Sequence, residues 1–158
     1  MKNFSLIGAA GYIAPRHMKA IKETKNDLVA CYDINDSVGI IDSYFPEARF
    51  FTEFERFDRH IEKLKYENNM LIDYTSICSP NYLHDAHIRF ALRSGSNAIC
   101  EKPLVLNSWN IDKLLKAEEI SGKRIFTVLQ LREHDVIKNL KRKISESSKK
   151  SKINIDLT

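Results

Sequence analysis

Two clusters of residues have types and spacing suited to chemistry. The first is Gly8-Ala9-Ala10-Gly11-Tyr12-Ile13-Ala14, which follows an apolar run and opens a helical pattern. Glycines at such a junction let the backbone turn tightly and approach a ligand closely. The free N–H groups of the following helix attract phosphate. The spacing G-x-x-G-x-x-A is a variant of the fingerprint that cradles a dinucleotide pyrophosphate, with Ala14 small enough for close helix–strand packing. Gly8, Ala10, Gly11, Tyr12 and Ile13 are its candidate contacts. Asp33 ends the next apolar run, 22 residues after Gly11, close to the roughly 20 that the fingerprint expects. A carboxylate there accepts hydrogen bonds from ribose hydroxyls and repels a 2′-phosphate. Ile34 and Asn35 bring no positive charge to offset it, so NAD is favoured over NADP, and Asn35 joins the candidates at that end. The plainer alternative is that Asp33 forms a turn ahead of Asn35-Asp36.

The second cluster combines Ser79-Pro80-Asn81-Tyr82-Leu83-His84 with Glu101-Lys102-Pro103. Both follow β-rich runs, and in open parallel sheets ligands bind outside the carboxyl ends of the strands. Ser79 and Asn81 offer polar atoms there, although Asn81 also suits a helix cap. Lys102 is the candidate catalytic residue. It could hold a substrate hydroxyl, or carry a proton if burial lowers its pKa; a solvated surface lysine is the alternative. His84 and His87 share a helix face at spacing i, i+3, but no third metal ligand accompanies them. Cys31, Cys78 and Cys100 each fall late in an apolar run and read as small buried hydrophobes.

The elements that must position these residues alternate. Strands are expected over 4–8, 28–32, 49–51, 73–78, 98–101 and 124–129. Helices are expected over 14–22, 37–44, 54–66, 81–94 and from Asn107 or Ser108 to Gly122. In the third helix Phe54, Phe57, Ile61 and Leu64 form an apolar stripe for the core. Strands that alternate with helices predict βαβ units. The fold class is therefore α/β, a doubly wound parallel sheet of the Rossmann dinucleotide-binding type. The end differs: a helical stretch over 135–145, a polar loop over 147–152, and Ile153, Ile155 and Leu157 alternating with polar residues as in a half-buried strand.

These segments resemble the glucose–fructose oxidoreductase / inositol dehydrogenase (Gfo/Idh/MocA) family. The glycine turn ending in Arg16-His17, the 79–84 segment and the Glu101-Lys102-Pro103 tripeptide carry the resemblance. Within the family, the 8–17 segment, Phe51 to His60 and Thr127 to Arg132 are similar to the branch that oxidises the C3 hydroxyl of UDP-N-acetyl-glucosaminuronate by hydride transfer to NAD, in bacterial surface-polysaccharide (O-antigen) synthesis. The resemblance implies that Gly11, Tyr12 and Ile13 lie along the pyrophosphate and Asp33 at the adenine ribose. Ser79, Asn81 and His84 line the cofactor. Glu101 and Lys102 sit at the nicotinamide, with Lys102 on the sugar hydroxyl, and Gln130 lies where the two family domains join. It further implies an NAD-binding domain over 1–131, and over 132–158 the start of a second α+β domain that is cut short. The family's second domain carries most of the substrate site, its catalytic histidine and much of a homo-oligomer interface. His134 is not at that catalytic position, and Asp135 departs from a proline common there. The chain alone is therefore expected to bind NAD without turnover. The alternatives are a stand-alone NAD-binding or regulatory module that needs a partner subunit, and a relative acting on an inositol or free sugar.

Composition fits this reading. The chain has 158 residues, 43% hydrophobic and 29% charged, ordinary values for a globular protein. No apolar run approaches the roughly 18 residues of a membrane span, and the N-terminus lacks a secretory signal pattern. Three cysteines without CxxC spacing indicate neither a disulfide framework nor a zinc site, so a cytoplasmic protein is expected. Between Lys138 and Thr158 seven basic residues face two acidic ones, so the tail carries +5 and the remainder −1 of the net +4. The remainder is near neutral, which argues against a nucleic-acid surface.

Overall fold

The computed structural model describes residues 1–36, 38–67 and 69–146. The chain forms two compact units, Met1–Val128 and Leu129–Thr158, whereas the sequence places the division after residue 131.

In the first unit the alternation produces β1 (Asn3–Ile7), α1 (Ala14–Glu23), β2 (Asp27–Tyr32), α2 (Ile40–Tyr44), β3 (Arg49–Phe51), α3 (Phe54–Glu67), β4 (Tyr74–Ile77), α4 (His84–Ser94), β5 (Asn97–Cys100), α5 (Trp109–Ser121) and β6 (Ile125–Thr127). All six strands run parallel in the order β3-β2-β1-β4-β5-β6. This is the doubly wound order, and its direction of winding reverses between β1 and β4. The crevice at that reversal lies between the turn after β1 and the loop after β4, where both sequence clusters fall.

The core explains the strand composition. Leu6 packs in one cluster with Met18 and Ile21 of α1 and Ile41 before Phe45. Its neighbour Ile7 packs in another with Phe57, Ile61 and Leu64 of α3. Successive side chains of β1 thus serve opposite faces, as in a strand covered on both sides. A third cluster joins Ile77, Ile88, Leu92, Cys100 and Leu114 under α4 and α5. The expected stripe of α3 is realised at Phe57, Ile61 and Leu64, with Phe54 partly buried against them. In α5 only Leu114 is buried, while Ile111 and Leu115 are exposed. Polar atoms inside the sheet are paired: Ser5 Oγ, Thr75 Oγ1 and Ser96 Oγ form a buried chain with steps of 2.9 and 2.6 Å.

Helix ends follow backbone chemistry. Gly95 and Gly122 take left-handed conformations, φ 89° and 65°, and stop α4 and α5. Pro15 sits in the first turn of α1, where its missing N–H does no harm. One expected cap is corrected. Asn81 does not cap α4; it opens a 3-10 turn, Asn81–Leu83, and the α-helix begins only at His84 behind Leu83, with no side-chain cap bond. Pro80 is extended, and a tight turn intervenes before α geometry begins. The short α2 starts at Ile40, and Ser37, where the sequence places its start, lies outside the described residues.

The second unit contains a 3-10 turn, Gln130–Glu133, and α6 (Asp135–Glu146). A 2.6 Å ion pair joins Lys138 to Glu133. The expected loop over 147–152 and strand over 153–157 lie outside the described residues.

Candidate functional site

The turn after β1 is built on glycine by necessity. Gly8 has φ 85°, and a Cβ there would lie 2.6 Å from the carbonyl carbon of Cys78 and the nitrogen of Ser79. Gly11 is tight too, with Gly8 O at 3.1 Å and Cys78 O at 3.4 Å from a Cβ position. The first turn and the end of β4 therefore touch backbone to backbone. Within the turn the N–H groups divide into two sets. Gly8 and Ala9 donate to the Tyr32 carbonyl and Gly11 to the Gly8 carbonyl. Ala10 donates to Asp33 Oδ2 at 2.9 Å. Among the described residues, the N–H groups of Tyr12 and Ile13, just before α1, have no protein acceptor. Two free donors at the N-terminus of a helix of ten residues fit the pyrophosphate of a dinucleotide. Tyr12 is 88% exposed, and the Arg16 guanidinium lies 5.8 Å from its ring centroid.

Asp33 is buried beyond the end of β2. Its second oxygen, Oδ1, accepts from the Asn35 amide at 2.9 Å and more distantly from Asn35 Nδ2 at 3.4 Å. The turn-forming role is therefore real. An ionised carboxylate has about four acceptor sites, so it also retains capacity for ribose hydroxyls.

The β4 and β5 loops are joined by histidines. His84 is fully buried. Its Nε2 lies 2.9 Å from the Ser79 carbonyl and its Nδ1 2.7 Å from the Pro103 carbonyl. With both ring nitrogens engaged, His84 offers no polar atom to a ligand. Its role in the structure is to tie the two loops together. Ser79 is likewise committed, its Oγ 2.8 Å from His87 Nδ1. Burial, with a smaller contribution from His84, pulls the His87 pKa down to about 4. Asn81 is exposed on the rim.

Glu101 is buried at the end of β5. It accepts from His17 Nε2 at 3.0 Å and from the Lys102 amide at 3.3 Å. The other ring nitrogen of His17 lies 2.6 Å from Ser76 Oγ. Lys102 precedes a cis peptide to Pro103 and is exposed. The burial that a proton-carrying role would draw on is absent, and contact with a hydroxyl is the role its placement allows. The structure thus gathers Gly8, Ala10, Gly11, Tyr12, Ile13, Asp33 and Asn35 at the β1 and β2 ends, and Ser79, Asn81, Glu101 and Lys102 at the β4 and β5 ends. Gln130 opens the 3-10 turn of the second unit. His17 and Ser76 are participants to which sequence reasoning gave no role. The only signal was the place of His17 at the close of the glycine-turn segment.

The three cysteines are buried and free. Burial raises the Cys31 and Cys100 thiols to about 12, helped at Cys100 by the Glu101 charge, and pushes Cys78 higher still. No helix among the described residues is long and apolar enough to cross a membrane.

A parallel sheet of this order, a glycine turn with free donors at the switch point and a carboxylate closing β2 define a dinucleotide-binding domain. Residues 2–129 match the model of the oxidoreductase family with an NAD-binding Rossmann fold, and the chain belongs to that family. It is 50% identical to the WlbA (WbpB) dehydrogenase of Thermus thermophilus in complex with NAD and α-ketoglutarate, with a TM-score of 0.89, covering 94% of this chain and 48% of that one. The structure of that enzyme with NAD and UDP-GlcNAcA matches equally, at 50% identity and TM-score 0.89, over 93% of this chain and 48% of the other. The inositol 2-dehydrogenase of Paracoccus denitrificans (strain Pd 1222) is 30% identical over 90 residues, 57% of this chain and 24% of that protein. The glucose-6-phosphate 3-dehydrogenase of Bacillus subtilis (strain 168) is 32% identical over 112 residues, 68% of this chain and 27% of that protein. The chain spans about half the length of the first and about a quarter of the other two.

Proposed function

We propose that this chain is the NAD-binding domain of a sugar-nucleotide dehydrogenase that oxidises the C3 hydroxyl of UDP-N-acetyl-glucosaminuronate, in the synthesis of a bacterial surface polysaccharide. The observation that carries this reading is the 50% identity, over 93% of the chain, to a dehydrogenase held with NAD and UDP-GlcNAcA. When bound, NAD supplies the acceptor for the C3 hydride. The chain's own residues bind and orient. Tyr12 and Ile13 give their free N–H groups to the pyrophosphate, and Gly8 and Gly11 keep the turn close enough to reach it. Asp33 and Asn35 meet the adenine ribose. Glu101 and Lys102 stand at the nicotinamide end, with the Lys102 ammonium on the sugar hydroxyl.

A second reading, oxidation of an inositol, has support from the 30% identity to inositol 2-dehydrogenase. One pair of measurements separates the readings. Titration of the chain with NADH, followed by nicotinamide fluorescence, is expected to show saturable binding. A folded chain with no binding would overturn the cofactor assignment. By itself the chain is expected to bind without turnover. NADH formation by the protein that carries this domain together with a substrate domain is then compared on UDP-GlcNAcA and myo-inositol. Faster turnover of myo-inositol would refute the sugar-nucleotide reading.

A further inference from the structure

Two histidines from different helices, His17 half-buried and His84 fully buried, converge on the same tripeptide. His17 of α1 reaches Glu101, and His84 of α4 reaches Pro103. Lys102 stands between those two residues. Among the described residues its Nζ makes no hydrogen bond or ion pair, although its backbone amide is bonded to Glu101 Oε2. We propose that His17 and His84 form a clamp that fixes the backbone on both sides of Lys102, so that a free ammonium is presented to ligand from a rigid loop. This deepens the reading of Lys102 given above and rests on it.

The donor count supports the clamp. On the N-terminal side an ionised Glu101 can only accept. His17 Nε2 must therefore carry the proton, which leaves Nδ1 to accept from the Ser76 hydroxyl at 2.6 Å. In a neutral ring Glu101 thus sets the tautomer, and the Ser76 hydroxyl matches it. The other Glu101 oxygen holds the Lys102 amide. On the C-terminal side the His84 ring is wedged between two carbonyl oxygens, that of Pro103 2.7 Å from Nδ1 and that of Ser79 2.9 Å from Nε2, and its N–H donates to the one it faces. The two contacts together tie the β5 loop to the β4 loop. The side chains of His17 and Glu101 are only 11% and 10% exposed, so water competes little for their bond.

A clamp of this kind matters because a lysine has a long flexible stem. Fixing its backbone confines the region the ammonium can sample, and a misplacement of about 1 Å at a reacting centre can cost on the order of a hundredfold in rate. Histidines that merely satisfied a core would be indifferent to which loop they held.

Amide hydrogen exchange at Lys102 tests the clamp directly on the full chain. His17→Ala is expected to speed exchange of the Lys102 amide by about tenfold or more, while the amides of β1 and β4 keep their protection. His17→Gln, whose amide N–H can still reach Glu101, restores slow exchange. Unchanged exchange at Lys102, or acceleration of every core amide together, overturns the clamp. The same variants are titrated with NADH alone and combined with Lys102→Ala. The His17→Ala effect on NADH affinity is expected to vanish once Lys102 is gone; effects that add independently also overturn the proposal. If Lys102→Ala leaves NADH affinity unchanged, its contact with the cofactor fails, while the exchange data still decide the clamp. His84→Gln repeats the test from the other side, and the less buried His17 carries it if that variant does not fold.

Discussion

Acidification should strike this fold first at His87. The ring is 6% exposed, stacks on Phe54 with centroids 5.2 Å apart, and bonds Ser79 through Nδ1. Burial and, less strongly, His84 lower its pKa from 6.5 to about 4. The folded state thus holds a neutral ring where the unfolded chain takes up a proton below pH 6.5. Stability is fully present above about pH 6.5, falls as the pH drops toward 4, and loses nothing more from this group below that. A gap of about 2.5 units at 1.36 kcal/mol each gives a total of about 3 kcal/mol, of which about 2.5 is lost by pH 4.5. Urea unfolding followed by circular dichroism at pH 7 and about pH 4.5 measures the loss. The control is His87→Phe, which keeps an aromatic ring against Phe54 but cannot titrate. Carboxylate titrations are common to both proteins and cancel. The variant should lose about 2.5 kcal/mol less than the parent on acidification. Equal losses would refute the assignment of a neutral His87.

Two further predictions concern the turn and the carboxylate. Gly8→Ala should cost about 3 kcal/mol or more, since a Cβ at φ 85° meets the backbone of Cys78 and Ser79 at 2.6 Å and no side chain can swing away. Gly122→Ala, at φ 65° with nothing near, should cost only about 1 kcal/mol, so that comparing the two midpoints in urea isolates the collision. Asp33→Asn must turn its NH2 toward either the Ala10 or the Asn35 N–H. It should weaken NADH binding by about tenfold or more, read by fluorescence titration, and undiminished affinity would remove Asp33 from the ribose site.

Much of this architecture can be read from the sequence because its signals are local. Short β-branched runs, the α3 stripe and glycines that stop helices each act over a few residues. The parallel order follows from the crossovers those elements require. The glycine turn was legible for the same reason. What escaped were contacts between distant positions. Nothing local tells that His17 meets Glu101, 84 residues on, or that His84 spends both nitrogens on carbonyls. Asn81 misled because Asn before a helix suits a cap, yet Pro80 placed a 3-10 turn there first. Ile111 and Leu115 show the limit of periodicity, which gives a face but not what covers it.

The silence of the thiols has a practical consequence. Reagents such as maleimides attack thiolates, and Cys31, Cys78 and Cys100 are buried with thiols pushed to about 12 or beyond. The folded chain is therefore a clean background for labelling. A cysteine put in place of exposed Tyr12 becomes its one fast-reacting thiol, and a dye there sits at the mouth of the glycine turn. Because the native thiols react only when the core opens, slow uptake of a second label times that opening in the same sample.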